Sequence, residues 1–241
     1  MTLSENWRSL MQSDKFEWIE GYKNDPEFVK LFNETKEKIP AKVNNQFIGI
    51  AAGPFKSYNV AQYARAASQF PGCMAEVGVF SGGTARIISK TVPWKALHLF
   101  DTFTGIHEIG FQDKKIFKNA FNTPGLLGIA QRAVDDCPSV QFHIGWFPDS
   151  IPNDLRTQKF NFVHADADVY PSTKSICQFF FPRMTPGGII LFDDYGFEET
   201  PGARLAVDEF FKNKYEKPLV LPGGQAVIIK SDDTFYKKEH P

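Results

Sequence analysis

Two clusters of carboxylates dominate the chemistry available to this chain of 241 residues. Asp166 and Asp168 stand in the run His-Ala-Asp-Ala-Asp-Val-Tyr-Pro, and Asp193 and Asp194 follow the run Gly-Ile-Ile-Leu-Phe. Each cluster comes after a short apolar run of the kind that forms a buried strand. Carboxylates that lie close together repel one another unless a cation neutralises them. A hard divalent cation such as Mg²⁺ suits this place because it prefers oxygen ligands.

The spacing of the four aspartates suggests a separate role for one of them. If the backbone stays extended, the side chains of Asp166 and Asp168 face the same way. The neighbours Asp193 and Asp194 diverge unless the chain turns sharply, which the following Tyr-Gly favours. We predict that Asp166, Asp193 and Asp194 bind Mg²⁺. Asp168 is then the base for an acceptor hydroxyl whose pKa the metal lowers. A helix cap is the structural alternative for any one of these residues.

Three histidines are weaker candidates. His164 lies inside an apolar strand, which is more typical of a buried core histidine than of a catalytic base. His143 is expected to be structural. His107 follows the second predicted strand in a loop and is an alternative base or acceptor contact.

A glycine-rich turn precedes these clusters, in the run Glu76-Val-Gly78-Val-Phe-Ser-Gly-Gly83. It differs from the dinucleotide-binding pattern G-x-G-x-x-G, because Glu76 replaces the first glycine. An acidic residue there suits a cationic ligand such as S-adenosylmethionine, which carries a sulfonium and an α-ammonium group. We predict that Gly78 admits this cofactor against the backbone and that Glu76 holds charge near its methionine end. An ordinary strand-to-helix turn is the alternative.

Further polar residues fit the same cofactor. Asp101 ends the next strand, where a carboxylate can accept both ribose hydroxyls; a helix cap or a local turn is its alternative. Asp149 and Ser150, in Gly-Trp-Phe-Pro-Asp-Ser-Ile-Pro, are predicted to meet the adenine amine, with a simple turn as the alternative.

Strands and helices alternate from residue 73 onward. Strands are predicted at 73–79, 96–100, 140–144, 160–165, 188–192, 218–221 and 225–229, and helices from 83 to 88, within 111–136, at 172–181 and at 202–212. Such alternation indicates an α/β fold with a doubly wound, mostly parallel, seven-stranded sheet, closed by an antiparallel edge hairpin. In open sheets of this type ligands bind at the carboxyl ends of the strands, where Asp101, Asp166 and Asp193 fall.

Residues 1–70 are predicted to be helical additions or a lid belonging to the same domain as the core at 71–241. Asp25 and Pro26 begin one helix there, and Ser57 or Asn59 is expected to cap a second through residues 60–68.

Composition excludes several classes of protein. The chain has 27 basic and 28 acidic residues, so no excess positive charge points to nucleic acid. Its three cysteines lack metal-binding spacing, which favours a reduced, cytoplasmic protein. The N-terminal residues lack the apolar core of a signal peptide, and no apolar run reaches the roughly 20 residues that span a bilayer.

The chain resembles the macrocin O-methyltransferase (TylF-like) family. The matching motifs are the glycine turn, Phe100-Asp-Thr-Phe-Thr-Gly, Gly145-Trp-Phe-Pro-Asp-Ser-Ile-Pro, His164-Ala-Asp-Ala-Asp-Val-Tyr-Pro-Ser-Thr and Asp193-Asp-Tyr-Gly. The resemblance implies an S-adenosylmethionine- and Mg²⁺-dependent enzyme that methylates a hydroxyl of a sugar or glycosylated natural product. It also implies a homodimer or larger assembly and the aspartate roles given above. Residues implied to line the cofactor site are Val77, Gly78, Val79, Phe80, Ser81, Asp101, Thr102, Phe103, Gly105, Asp149, Ser150 and Ala165.

The chain departs from the family pattern at several places. Ala165 and Pro171 stand where the family more often has Ile and Glu, the region 106–136 looks short, and the first 45 residues match poorly. Gln46-Phe47-Ile-Gly loosely resembles the family's cofactor-covering stretch. Three alternatives stay open: a catechol-type or small-phenol O-methyltransferase, a mononuclear iron oxygenase and a cofactor-binding module without catalysis. The oxygenase would need a second histidine at a strand end.

Overall fold

The computed structural model describes residues 17–232. The N-terminal run inspected for a signal peptide therefore lies outside the described residues. After a 3₁₀ helix at Glu17–Asn24, the first α-helix, α1, spans Pro26–Lys38. It begins as predicted, with Asp25 Oδ1 accepting a hydrogen bond of 3.0 Å from the amide of Phe28. A small hairpin of β1 (Lys42–Val43) and β2 (Gln46–Phe47), which the sequence did not indicate, follows.

The predicted cap of the second helix is wrong. Helix α2 spans Gly53–Ala67 and starts seven residues before the predicted range 60–68, and Ser57 is buried within it. Pro54 sits in its first turn, where the missing amide hydrogen has no helical partner to lose. This early start carries Lys56 into the first turn of the helix.

The seven-stranded sheet is confirmed, with order β5-β4-β3-β6-β7-β9-β8. Its strands are β3 (Cys73–Val77), β4 (Leu97–Asp101), β5 (Val140–Ile144), β6 (Phe160–Ala165), β7 (Met184–Phe192), β8 (Leu219–Val220) and β9 (Ala226–Ile229). Strands β3 to β7 run parallel, whereas β9 pairs antiparallel with both β7 and β8. The antiparallel edge is therefore also confirmed.

The remaining helices connect these strands. They are α3 (Gly83–Thr91), α4 (Leu126–Ala133), α5 (Tyr170–Phe180) and α6 (Pro201–Phe211). Short 3₁₀ helices lie at Asn153–Thr157 and Phe181–Arg183. Of the region 111–136, only α4 is helical, and the stretch before it is a loop of turns and bends. Three phenylalanines and a proline-glycine break in that stretch leave no continuous amphipathic face.

Two apolar layers cover the sheet, and alternate residues of each strand face opposite layers. Phe162, Leu191 and Val227 pack against α2, α3 and α4 on one face, whereas their neighbours Val163, Ile190 and Ile228 pack against α5 and α6 on the other. Burial on both faces explains the continuous apolar runs of these strands. Because β3 to β7 run parallel, the carboxyl ends of these five strands lie at one edge of the sheet.

Candidate functional site

The site is a cavity of about 340 Å³ at the carboxyl edge of the sheet. All four aspartates of the two acidic clusters line it. Backbone hydrogen bonds position two of them, since Asp166 N donates to Val77 O at 2.8 Å and Asp193 N donates to Ala165 O at 2.9 Å. Both residues thus continue the register of neighbouring parallel strands beyond the strand ends.

The backbone between Asp166 and Asp168 is not extended. Asp168 has a φ of +60°, and Val169 N donates to Ala167 O at 2.6 Å across it. A non-glycine residue in this region is strained by about 1–2 kcal/mol. The sharp turn nevertheless directs the Asp168 side chain to the same cavity as Asp166.

Asp193 and Asp194 diverge, although they are adjacent. Asp194 Oδ2 accepts a hydrogen bond of 3.0 Å from Asp168 N, so it supports the turn that carries the predicted base. Asp193 instead faces Lys56, Gln225 and His164. Within residues 17–232, the one group of possible ligand atoms that all lie within 4.8 Å of one another comprises His164, Asp166 and Asp193.

His164 is buried but is more than a core residue. Its Nδ1 lies 2.7 Å from Glu76 Oε1, and its Nε2 lies 3.5 Å from Asp193 Oδ1. Burial disfavours the charged imidazole, but the carboxylates of Asp193 and Glu76 outweigh burial and raise the pKa of His164 to about 10. His164 thus lies between the two carboxylates, and its Nε2 has no hydrogen-bond partner among the described residues.

The acidic cluster carries more negative charge than its cations balance. Burial and then the charges of Asp193 and Asp194 raise the pKa of Asp166 well above its usual range. Burial and then the charge of Asp194 do the same for Asp168. The pKa of Asp194 rises to about 6, whereas that of Asp193 falls to about 2 because His164 and Lys56 outweigh its burial. A bound divalent cation would relieve this repulsion, so the residues present fit one.

The glycine turn approaches the acidic cluster closely. Gly78 has a φ of +90°, and a Cβ there would lie 1.7 Å from Asp166 O. Only glycine fits this position. The turn and the Asp166 backbone therefore form one continuous wall of the cavity.

Asp101 organises the loops around that wall. Its Oδ2 accepts hydrogen bonds from Val79 N at 2.7 Å and Phe80 N at 2.9 Å, and its Oδ1 accepts one from Phe103 N at 2.7 Å. An ionised carboxylate has about four acceptor positions, which leaves one for a ligand hydroxyl. The binding of ribose hydroxyls by Asp101 stays a prediction, whereas its hydrogen bonds to the two loops are observed.

The other predicted cofactor residues fall into two sets. Those that line the cavity, besides Gly78 and Asp101, are Val77, Phe80, Thr102 and Gly105. Those outside its lining are Glu76, Val79, Ser81, Phe103, Asp149, Ser150 and Ala165. Two of the second set have buried side-chain oxygens without a hydrogen-bond partner among the described residues, Glu76 Oε2 and Ser150 Oγ. Such atoms indicate a missing ligand or water.

Several lining residues gave no signal in the sequence. Lys56, Trp146, Phe147 and Phe197 belong to this group. Trp146 and Phe147 stand beside the predicted Asp149 and Ser150, so their motif could have suggested them. His107 does not line the cavity, and its Nε2 lies 2.7 Å from Thr104 Oγ1. His143 also lies outside the lining, and its ring stacks on that of His98 on β4.

A profile of the family described as "Macrocin-O-methyltransferase (TylF)" matches residues 55–227. The chain belongs to the macrocin O-methyltransferase family. The matched segment contains the glycine turn, both acidic clusters and the large sheet up to the first half of β9.

Curated relatives in this family act on natural products. A mycinamicin III 3''-O-methyltransferase from Micromonospora griseorubida is 30% identical over 159 residues, 58% of this chain and 60% of that protein. An 8-demethyl-8-(2,3-dimethoxy-alpha-L-rhamnosyl)-tetracenomycin-C 4'-O-methyltransferase from Streptomyces olivaceus is 27% identical over 147 residues, 53% of this chain and 54% of that protein. The matches thus span little more than half the length of these relatives.

Solved structures support the fold of the family. The O-methyltransferase NovP superposes with a TM-score of 0.68 at 20% identity, over 85% of this chain and 97% of that one. The calicheamicin methyltransferase CalS11 superposes with a TM-score of 0.65 at 20% identity, over 87% of this chain and 93% of that one. Within residues 17–232, none of the helices has the length and apolar character needed to cross a membrane.

Proposed function

We propose that this protein is an S-adenosylmethionine- and Mg²⁺-dependent O-methyltransferase that acts on a hydroxyl of a sugar or glycosylated natural product. The observation that carries the proposal is the junction at Gly78, where the cofactor turn touches the backbone of the acidic cluster. A methyl donor and a metal-bound acceptor hydroxyl would meet in a single cavity at this point. Family membership and the names of the curated relatives support the same reaction.

The cofactor and the metal would supply the chemistry that the side chains lack: bound S-adenosylmethionine provides an electrophilic methyl group, and bound Mg²⁺ acidifies the acceptor hydroxyl. Asp166, Asp193 and Asp194 are the proposed metal ligands. Asp194 would use the oxygen that does not accept from Asp168 N. His164, paired with Glu76, would help to orient Asp193.

Asp168 is the proposed base that takes the acceptor proton at a carboxylate oxygen. Its turn is fixed from two sides, by Asp194 and by the hydrogen bond from Val169 N to Ala167 O. Such fixation lowers the reorganisation needed when the proton moves. The side chains of Phe80, Phe121, Trp146 and Phe197 give the cavity apolar walls that exclude water and fit the apolar body of a glycosylated acceptor.

The domain arrangement, the cellular location and the oligomeric state are also proposals. Ala51, Ala52 and Lys56 line the cavity, which supports residues 1–70 as part of one domain with the core. All three cysteines are free, which supports a cytoplasmic location. The edge strand β8 exposes Leu219 and Val220 by 55% and 61%, which supports assembly as a homo-oligomer.

Calorimetric titration with S-adenosylmethionine tests the cofactor, in Mg²⁺ and in EDTA. Micromolar binding would support the proposal, and Mg²⁺-dependent turnover would then be sought with glycosylated acceptors and with catechol as the competing class. Absence of binding in both buffers would refute it. Iron in the purified protein would instead favour the oxygenase.

A further inference from the structure

Lys56 places a cation inside the acidic cluster. Its Nζ donates a hydrogen bond to Asp193 Oδ2, and the same ammonium lies 4.2 Å from the centre of the Phe197 ring. Only 15% of the Lys56 side chain is exposed. Phe197 and the aspartate therefore hold the ammonium between an aromatic face and a carboxylate.

The second oxygen of Asp193 is also engaged. Gln225 Nε2 donates to Oδ1 at 2.7 Å, and Gln225 Oε1 accepts from Asn59 Nδ2 at 2.8 Å. His164 Nε2 lies 3.5 Å from the same Oδ1. Both oxygens of this proposed ligand thus face protein donors, and Gln225, the residue before β9, links one of them to Asn59 on α2. Lys56 has the flexible stem, so the oxygen it holds is the one that is easiest to release.

The Lys56 ammonium and the Asp193 carboxylate form an ion pair that is largely shielded from solvent, with 15% and 4% of the two side chains exposed. A divalent cation bound to Asp193 would therefore face a positive charge that already neutralises the same carboxylate. Two cations that share one carboxylate oxygen repel each other strongly at such short range.

We propose that Lys56 is an internal counter-cation that holds Asp193 while the metal is absent and competes with the divalent cation for this carboxylate. Lys56 thereby sets the metal affinity of the site and keeps the acidic cluster folded without metal. The inference rests on the proposed metal role of the cluster, but it concerns a residue outside the sequence motifs of the acidic cluster.

The test is calorimetric titration of Mg²⁺ alone into the wild type, Lys56→Met and Lys56→Gln. Lys36→Met is the matched control, because it removes the same charge from an exposed position on α1. We expect both Lys56 variants to bind Mg²⁺ roughly ten-fold or more tightly, since the competing charge is gone. Lys36→Met should leave the affinity unchanged.

Thermal unfolding gives a second readout that does not depend on activity. The melting temperature of metal-free Lys56→Met should fall below that of the wild type, and saturating Mg²⁺ should restore it. If Lys56→Met does not fold, Lys56→Gln retains a hydrogen-bond donor without the charge and carries the same comparison.

The outcomes separate this inference from the proposed function. Equal or weaker Mg²⁺ binding by the Lys56 variants, with clear binding by the wild type, overturns the inference and leaves the metal site standing. Binding only by the Lys56 variants supports it in its strongest form. Binding by none of the proteins removes the metal from the proposed function and overturns this inference with it, whereas S-adenosylmethionine binding is measured separately.

Discussion

The carboxylate of Asp113 accepts hydrogen bonds of 3.0 and 3.2 Å from the backbone amide of Tyr170, two residues after the proposed base Asp168. Asp113 is 98% buried, and it also accepts a hydrogen bond of 2.6 Å from Gly110 N. It therefore ties the loop before α4 to the first residue of α5. A negative charge at the start of a helix is favourable there.

Asp113→Ala should loosen both the loop and the turn at Asp168. We expect a loss of stability of about 1–3 kcal/mol, because a buried helix cap and its loop contacts disappear. Turnover should fall more than S-adenosylmethionine affinity, and protease cleavage within 105–125 should speed up. Asp113→Asn, which keeps an acceptor, should recover part of the turnover. Equal loss in both variants would contradict a positioning role.

Gly202→Ala should reproduce the Asp113→Ala phenotype from the other side of the contact. A Cβ at residue 202 would lie 1.8 Å from Asp113 Oδ1, so the carboxylate must leave its place. In an Asp113→Ala background the same change should have a much smaller effect, because the clashing atom is gone. A double-mutant cycle on the unfolding free energy measures this coupling. Additive effects would show that the two residues act separately.

Gly78→Ala should abolish cofactor binding and destabilise the protein by several kcal/mol, through both the clash with Asp166 O and the positive φ. Gly128→Ala is the control. Gly128 lies within α4, and a Cβ there meets only the tip of Arg132 at 3.5 Å. That change should stabilise the protein by about 0.5–1 kcal/mol. Chemical denaturation and calorimetry measure both effects.

Asp168→Asn should retain the fold and S-adenosylmethionine binding while losing most of the turnover. Asn tolerates the left-handed backbone at this position, so the substitution removes the base without adding strain. Asp168→Ala should lose turnover and also some stability. Single-turnover kinetics on the first active acceptor provides the measurement. Wild-type turnover by Asp168→Asn would exclude this residue as the base.

Stability should fall as the pH drops from about 6.5 toward 4. Burial, and then the charge of His143, lowers the pKa of His98 to about 4, whereas an unfolded histidine titrates near 6.5. The unfolded state therefore binds a proton before the folded state does, and stability present above pH 6.5 is lost as pH falls. Unfolding free energies across this range should show a shallower slope in His98→Phe. An unchanged slope would assign the loss to other groups.

The sequence predicted the sheet well because buried parallel strands leave apolar runs with carboxylates at their ends. Strands β5 and β6 have the predicted bounds, and α1 begins at the predicted cap. The start of α2 differs from the predicted cap, because glycine and proline, which stand at 53 and 54, are typical of loops, although proline fits a first helical turn. The hairpin of β1 and β2 has only two residues on each strand, too few for a periodic signal.

All four aspartates line one cavity, but local patterns gave no sign of their hydrogen-bond partners. The bonds of Asp193 to Lys56 and Gln225 join residues 137 and 32 positions away along the chain. The sequence favours a core position for His164, because an apolar strand gives no sign of a polar contact with Glu76 on the neighbouring strand β3. Such contacts depend on strand order, which local patterns do not encode.

The contact between Gly78 and Asp166 has a consequence for how the site comes into existence. Gly78 and Asp166 come together only when β3 pairs with β6. In the chain, β4, α4 and β5 lie between these two parallel strands, so the pairing closes a long loop. Cofactor turn and acidic cluster should therefore be acquired in one late step of folding and lost together, as a single cooperative unit.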